Sequence, residues 1–178
     1  ASMDSPIDIA GVRQLFIDDA IVEEMNGVTR KLNQPVKYQG NPVLWPTNPW
    51  EGRRTDLYAS VMYDDADGLF KMWYVCKSRG YTVSYATSMD GILWDKPSLG
   101  VVDWGDDDDV VLQNSSTEGP RFANASRDNN LIMVGAGNVN VIRDDRDPDP
   151  NRLYKSLFFH NKYRYVSIAF SPDGERWE

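Results

Sequence analysis

Ser88-Met89-Asp90-Gly91-Ile92-Leu93-Trp94 and, 83 residues later, Ser171-Pro172-Asp173-Gly174-Glu175-Arg176-Trp177 are two copies of one pattern, Ser-x-Asp-Gly-x-x-Trp. The Asp-Gly pair supplies a tight turn in which glycine tolerates positive φ, while Ser and Asp can bond nearby backbone amides. Working outward, the copies are preceded by Tyr85-Ala86-Thr87 and Ile168-Ala169-Phe170. Further upstream come strand-like runs, Leu69-Phe70-Lys71-Met72-Trp73-Tyr74 and Leu153-Tyr154-Lys155-Ser156-Leu157-Phe158-Phe159. Acidic turns precede both, Asp64-Asp65-Ala66-Asp67-Gly68 and Asp144-Asp145-Arg146-Asp147-Pro148-Asp149-Pro150. Lys155 follows Lys71 by 84 residues, so four ordered features keep register with a slip of one. Internal repetition of this kind organises a fold before any other signal.

Each copy reads as hairpins: short runs rich in Tyr, Phe, Val and Ile, bounded by Asp, Gly, Asn and Pro, with no useful helical apolar period. Further strands are expected at 14–18, 57–63, 110–112, 122–126, 131–134 and 139–143, with a Pro- and Trp-rich loop at 40–54. Residues 1–178 are therefore expected to form a single all-β region, with repeat copies at approximately 56–104 and 138–178. Several short strands per repeat suit a β-propeller blade with insertions better than a bare sandwich, because blades stack radially and restart the same pattern. The sequence stops directly after the second Trp, and the expectation is an N-terminal fragment of about two antiparallel blades. Propellers need roughly four to eight. The remainder of the chain, a partner chain or an oligomer is expected to close the ring and cover the open sheet edges.

Acidic residues outnumber basic ones by 27 to 19, giving a formal charge of −8 without any Lys/Arg stripe. Phosphate backbones and anionic membranes are repelled by such a chain, so neither nucleic acid nor a membrane is an expected partner. No stretch approaches the roughly 18 continuous apolar residues of a membrane span. The lone Cys76 excludes an intrachain disulfide and a cysteine-based zinc site, and its apolar run points to a buried, inert thiol. His160 is the only histidine, so no histidine zinc cluster can be assembled, and no Gly-x-Ser-x-Gly elbow accompanies it. Gly135-Ala136-Gly137 lacks the third glycine and the helix of a dinucleotide fingerprint. No metal or cofactor is expected.

Leu15-Phe16-Ile17-Asp18-Asp19, the segment from Tyr85 to Trp94 with Asp95-Lys96-Pro97, and the Asp-Pro-Asp-Pro turn before Lys155 resemble the N-terminal part of the five-bladed β-propeller glycoside hydrolase superfamily. That superfamily includes glycoside hydrolase families 32, 43, 68 and 117, and the likeness is strongest to uncharacterised bacterial proteins related to family 32. The resemblance implies a five-bladed propeller, of which this chain holds about two blades, and a carbohydrate substrate or glycan ligand. It implies three carboxylates in a central funnel: a nucleophile or base from the first blade, an orienting Asp from the second and an acid from the third. The first opens the innermost strand about eight residues before an acidic turn, which is the position of Asp56 relative to Asp64. The second finds no match, because the strand before Asp144 offers Asn138 and Asn140 and lacks an Arg-Asp-Pro motif.

Two readings of function follow. One is a glycoside hydrolase with Asp56 as nucleophile or base and only part of its site on this chain. The other is a non-catalytic propeller module that binds glycans or proteins, or a structural fragment. Trp45 and Trp50 flank Pro46 and Pro49 in the loop before Asp56 and are candidate sugar-stacking faces or, equally, packed anchors of the loop. Arg53 and Arg54 could bind an acidic sugar, hold Asp56 by charge, or form a surface pair. Asn138 and Asn140 could line the funnel as hydrogen-bonding groups. Trp73, Trp94 and Trp177 are expected in the core. Asp103 with the run 106–109 is expected to be a solvated loop rather than a calcium site, and the acidic turn at 144–149, flanked by Arg143, Arg146 and Arg152, a salt-bridged surface hairpin.

Overall fold

Alternating and continuous apolar runs pair into two antiparallel sheets in a computed structural model that describes residues 10, 11, 15, 17–78, 80–104, 126–160 and 163–178. The first sheet has four strands in chain order, β1 (Thr55–Asp64), β2 (Leu69–Lys77), β3 (Tyr81–Ser88) and β4 (Leu131–Val134). The second has three, β5 (Ala136–Arg143), β6 (Tyr154–His160) and β7 (Tyr165–Ser171). Among the described residues the only helical turns are two short 3-10 turns, Pro49–Glu51 and Pro150–Arg152, so the chain is all-β.

The candidates at 57–63, 131–134 and 139–143 fall within β1, β4 and β5. The one at 14–18 does not hold where it is described. Leu15, Ile17 and Asp18 lie outside any strand, and Ile17 N bonds Leu15 O within a local turn. An apolar run becomes a strand only where a neighbouring ladder can take up its backbone groups. The candidates at 110–112 and 122–125, like the acidic run at 106–109, lie outside the described residues, while Ser126 bridges Trp104. The chain divides into two units, Ala1–Tyr38 and Gln39–Glu178. Arg30 pairs with Asp19 in the first, and both sheets belong to the second.

β2 is buried on both faces. On one, Trp73 with Val83 and Tyr85 of β3 and Ile132 of β4 packs on Val139, Val141 and Tyr154 of the second sheet. The Trp73 indole N–H crosses to Gly174 O at 2.7 Å. On the other face Met72, Tyr74, Cys76 and Ala86 pack under Leu44 and Trp94. Burial pushes the Cys76 thiol up to about 12, in keeping with an inert core residue.

The sheets stack front to back. Alternation along a strand sends Lys71 and Trp73 of β2 towards the second sheet, whereas Tyr154 of β6 faces the first. Counting 84 residues on, Lys71 and Trp73 correspond to Lys155 and Leu157, which lie on the face of β6 opposite to Tyr154. The face the first sheet uses for docking is therefore left open on the second, where Leu157, Val166 and Ile168 are exposed.

A buried charge cluster ties the stack together. Asp64 accepts from Lys71 Nζ at 2.7 Å and from the Tyr154 hydroxyl and Arg143 guanidinium, and Lys71 also bonds Tyr154 at 2.9 Å. Arg143 keeps the surface hairpin expected for it, donating to Asp145 at 2.9 Å, and also enters this cluster because β5 lies against β1. The rest of that hairpin is a surface ion network: Lys155 bridges Asp144 and Asp147, and Asp149 accepts from Asn151 N at the head of the second 3-10 turn.

The two Ser-x-Asp-Gly-x-x-Trp turns carry the same bonds. Ser88 Oγ accepts from Gly91 N at 2.9 Å and Ser171 Oγ from Gly174 N at 2.8 Å. Asp90 accepts from Ile92 N and Leu93 N, and Asp173 from Glu175 N and Arg176 N. Each Trp indole donates to the glycine carbonyl three residues before it. Both turns end in a paired bridge, Thr87 with Asp95 and Phe170 with Glu178.

Candidate functional site

Val141 N bonds Ser60 Oγ at 2.8 Å and Arg143 reaches Asp64, so β1 and β5 run in the same direction side by side. The starts of these strands, and the β2–β3 and β6–β7 turns paired with them, therefore share one end of the two sheets. Asp56 stands at that end as the second residue of β1, opposite Val75.

Between Asp56 and Ser60, β1 advances four residues while β2 advances two, from Val75 to Trp73. Such a bulge twists a strand and re-aims its side chains. The Asp56 side chain keeps 16% exposure, with Arg54 donating to Oδ2 through Nε at 3.1 Å and Nη2 at 2.8 Å. Lys77 Nζ lies 3.7 Å from the same oxygen, so both cations address Oδ2. Asp56 lines a cavity of about 210 Å³ with Thr55, Leu57, Met72, Tyr74 and the stretch 41–44. That volume is below the roughly 300–1,000 Å³ of pockets that enclose a whole small ligand, and suits one end of a longer one.

The cavity wall is held by Glu51, a residue sequence reasoning missed. Glu51 is fully buried and accepts from Thr47 N at 2.7 Å, Asn48 N at 2.8 Å, the Tyr74 hydroxyl at 2.8 Å and Lys96 Nζ at 2.6 Å. Burial opposes its charge, but these bonds, Lys96 foremost, outweigh burial and keep its carboxyl below the usual range. Lys96 also bonds Trp45 O at 2.7 Å and Thr47 Oγ1 at 3.0 Å, fastening the loop. Asn130 extends the network, donating to Tyr74 and to Tyr85 O. The available signal was Asn48-Pro49-Trp50-Glu51, a cap residue followed three places later by Glu.

Of the residues singled out in the sequence, Arg54 and Asp56 come together. Trp50 is a loop anchor, its indole donating to Asn130 Oδ1 at 2.7 Å. Trp45 is 62% exposed and does not line the cavity, and Arg53 is exposed beside Arg54. Asn138 and Asn140 are exposed at a bulge of β5, Asn138 with φ 51°. The register assigns a different residue to the place of Asp56. Asp56 faces Val75, and the corresponding partner 84 residues on, Phe159, faces Gly137. Among the described residues no group of three or more His, Cys, Asp or Glu is arranged to hold a metal ion, and no helix is long and apolar enough to cross a membrane.

No family model matches the chain, and no curated protein does. Among solved structures, it is similar to a crystal structure from Bacteroides ovatus named a "putative glycoside hydrolase", with a TM-score of 0.52 and 16% identity over 83% of this chain. At that identity the likeness is one of fold. The match covers 40% of the other chain, so this chain spans about two fifths of the structure it resembles.

Proposed function

We propose that the protein is a carbohydrate-active β-propeller protein, a glycoside hydrolase in which Asp56 is the nucleophile or base and which holds only part of its site on these 178 residues. The observation that carries this reading is Asp56 itself: a carboxylate at the head of the first strand of a sheet, lining a cavity, with Arg54 and Lys77 both on Oδ2. The propeller reading is supported by four sequential antiparallel strands in the first sheet, as in a blade, and by front-to-back stacking, which generates a ring when repeated. The Bacteroides neighbour supports the same class of activity.

Glycoside hydrolysis needs two carboxyl groups, about 5–5.5 Å apart for retention or 6.5–9.5 Å for inversion. Gly137 in the register position of Asp56 means that the second group comes from outside β5, from further sheets supplied by the remainder of the chain, a partner chain or an oligomer. The test is hydrolysis of a panel of polysaccharides and aryl glycosides by the wild type and Asp56→Asn. Removal of an acid–base group lowers rates by about 10²–10⁴-fold, and that loss is expected. Undiminished hydrolysis by the variant removes Asp56 from the mechanism.

Gly137 also favours the second reading, a non-catalytic glycan-binding module. Its signature is glycan binding by the wild type without turnover.

A further inference from the structure

We infer that the tip of the second sheet, formed by His160, Tyr163 and Tyr165, is a stacking surface for the pyranose rings of a neutral oligosaccharide; this rests on the carbohydrate reading above. The three rings lie together at the end of β6 and the start of β7. Tyr163 and Tyr165 have centroids 5.8 Å apart and planes within 13° of parallel, and His160 stacks on Tyr165 at 5.4 Å. Tyr163 keeps 39% exposure and Tyr165 50%. Large rings are ordinarily spent on cores and interfaces, and here the two tyrosine rings face solvent side by side.

The backbone that presents them is held in an unfavourable conformation. Arg164, between the tyrosines, has φ 60°, the left-handed region that costs a side-chain-bearing residue free energy. In the first sheet the position 84 residues earlier is Gly80, with φ 109°, followed by Tyr81 as Arg164 is followed by Tyr165. The second hairpin keeps a left-handed residue there without a glycine, closed by Arg164 N to His160 O at 2.8 Å. Such conformations persist where the surroundings over-determine them and cluster at binding sites. The Arg164 guanidinium lies over Phe159, 5.5 Å from its centroid.

Pairing of His160 with Ala136 and Tyr165 places this tip at the same end of the sheets as Asp56. A pyranose ring offers a flat face of C–H groups to an aromatic ring and hydroxyls to the tyrosine O–H. That contact needs no charge on the sugar, so the ligand class it addresses is neutral.

The test is titration calorimetry of the protein with cellohexaose, xylohexaose, mannohexaose and maltohexaose. At least one is expected to bind, with Tyr163→Ala and Tyr165→Ala each raising Kd about tenfold or more and Tyr165→Phe staying within about threefold, since the ring is what stacks. Unchanged Kd in both alanine variants, or no binding of any of the four by the wild type, overturns the inference. Should Tyr165→Ala fail to fold, Tyr163→Ala decides. Asp56→Asn separates the two proposals. Tyrosine-dependent binding without wild-type hydrolysis overturns the hydrolase alone; Asp56-dependent hydrolysis indifferent to both tyrosines overturns the stacking surface alone.

Discussion

Asp64 ends β1 fully buried, and donors from three other strands converge on it: Lys71, Arg143 and Tyr154. Burial works against its charge, but hydrogen bonds from Lys71 and Tyr154 outweigh burial and hold the carboxyl at about 2. Its folded pKa lies below the ordinary 3.8, so its contribution to stability is complete above that value and is lost as pH falls through about 2. Asp64→Ala leaves the buried Lys71 with only the exposed Asp67 as its carboxylate partner, and is expected to cost about 3 kcal/mol at neutral pH in urea unfolding. The gap from the wild type should narrow as pH is lowered from about 4 to 2, and a gap constant over that range would count against the assignment. In the sequence Asp64 is one member of an acidic turn, with nothing to set it apart from Asp65 and Asp67. It is buried because the second sheet arrives over it, and no local pattern encodes that. Asp56 was legible as a strand-opening carboxylate, whereas its partners on Oδ2 depend on where the β2 end brings Lys77.

At the scale of elements, the two Ser-x-Asp-Gly-x-x-Trp turns share their internal bonds but not their surroundings. Gly91 has φ 72° and a Cβ there would meet only the Phe70 ring at 3.8 Å. Gly174 has φ 83°, and a Cβ would come within 2.8 Å of Trp73 Cζ2 in the sheet interface. Gly91→Ala should therefore cost about 1 kcal/mol, the left-handed penalty alone, and Gly174→Ala about 3 kcal/mol once overpacking is added. Thermal melts of the two variants decide it; equal losses would mean that the interface yields around Trp73. The turns themselves were readable because their chemistry is local. The missed 3-10 turn at Pro49–Glu51 was only half local: Asn48 and Glu51 mark its start, but Lys96, 45 residues away, decides that Glu51 is buried.

At the scale of the molecule, the open face of the second sheet is the consequential feature. Leu157 faces Ile168 across the ladder, and Ile168 is 64% exposed. Contiguous apolar surface of this kind marks an association site. The 178-residue chain should bind a hydrophobic dye and associate with rising concentration, and Leu157→Lys with Ile168→Glu should abolish both at a stability cost under about 0.5 kcal/mol each. A wild type that stays monomeric and dye-free in light scattering would remove the face from consideration.

The repeated pattern determined by itself that the chain is all-β, where its acidic and Asp-Gly turns fall and that Trp73 lies in a core, because turn chemistry and the two-residue strand period act between neighbours in sequence. Only the tertiary structure decided that Arg143 serves Asp64, that Trp50 anchors on Asn130 and that Gly137 answers to Asp56. Those facts depend on which faces of two sheets meet and on bulges that shift register, and both are set by contacts between residues some eighty positions apart.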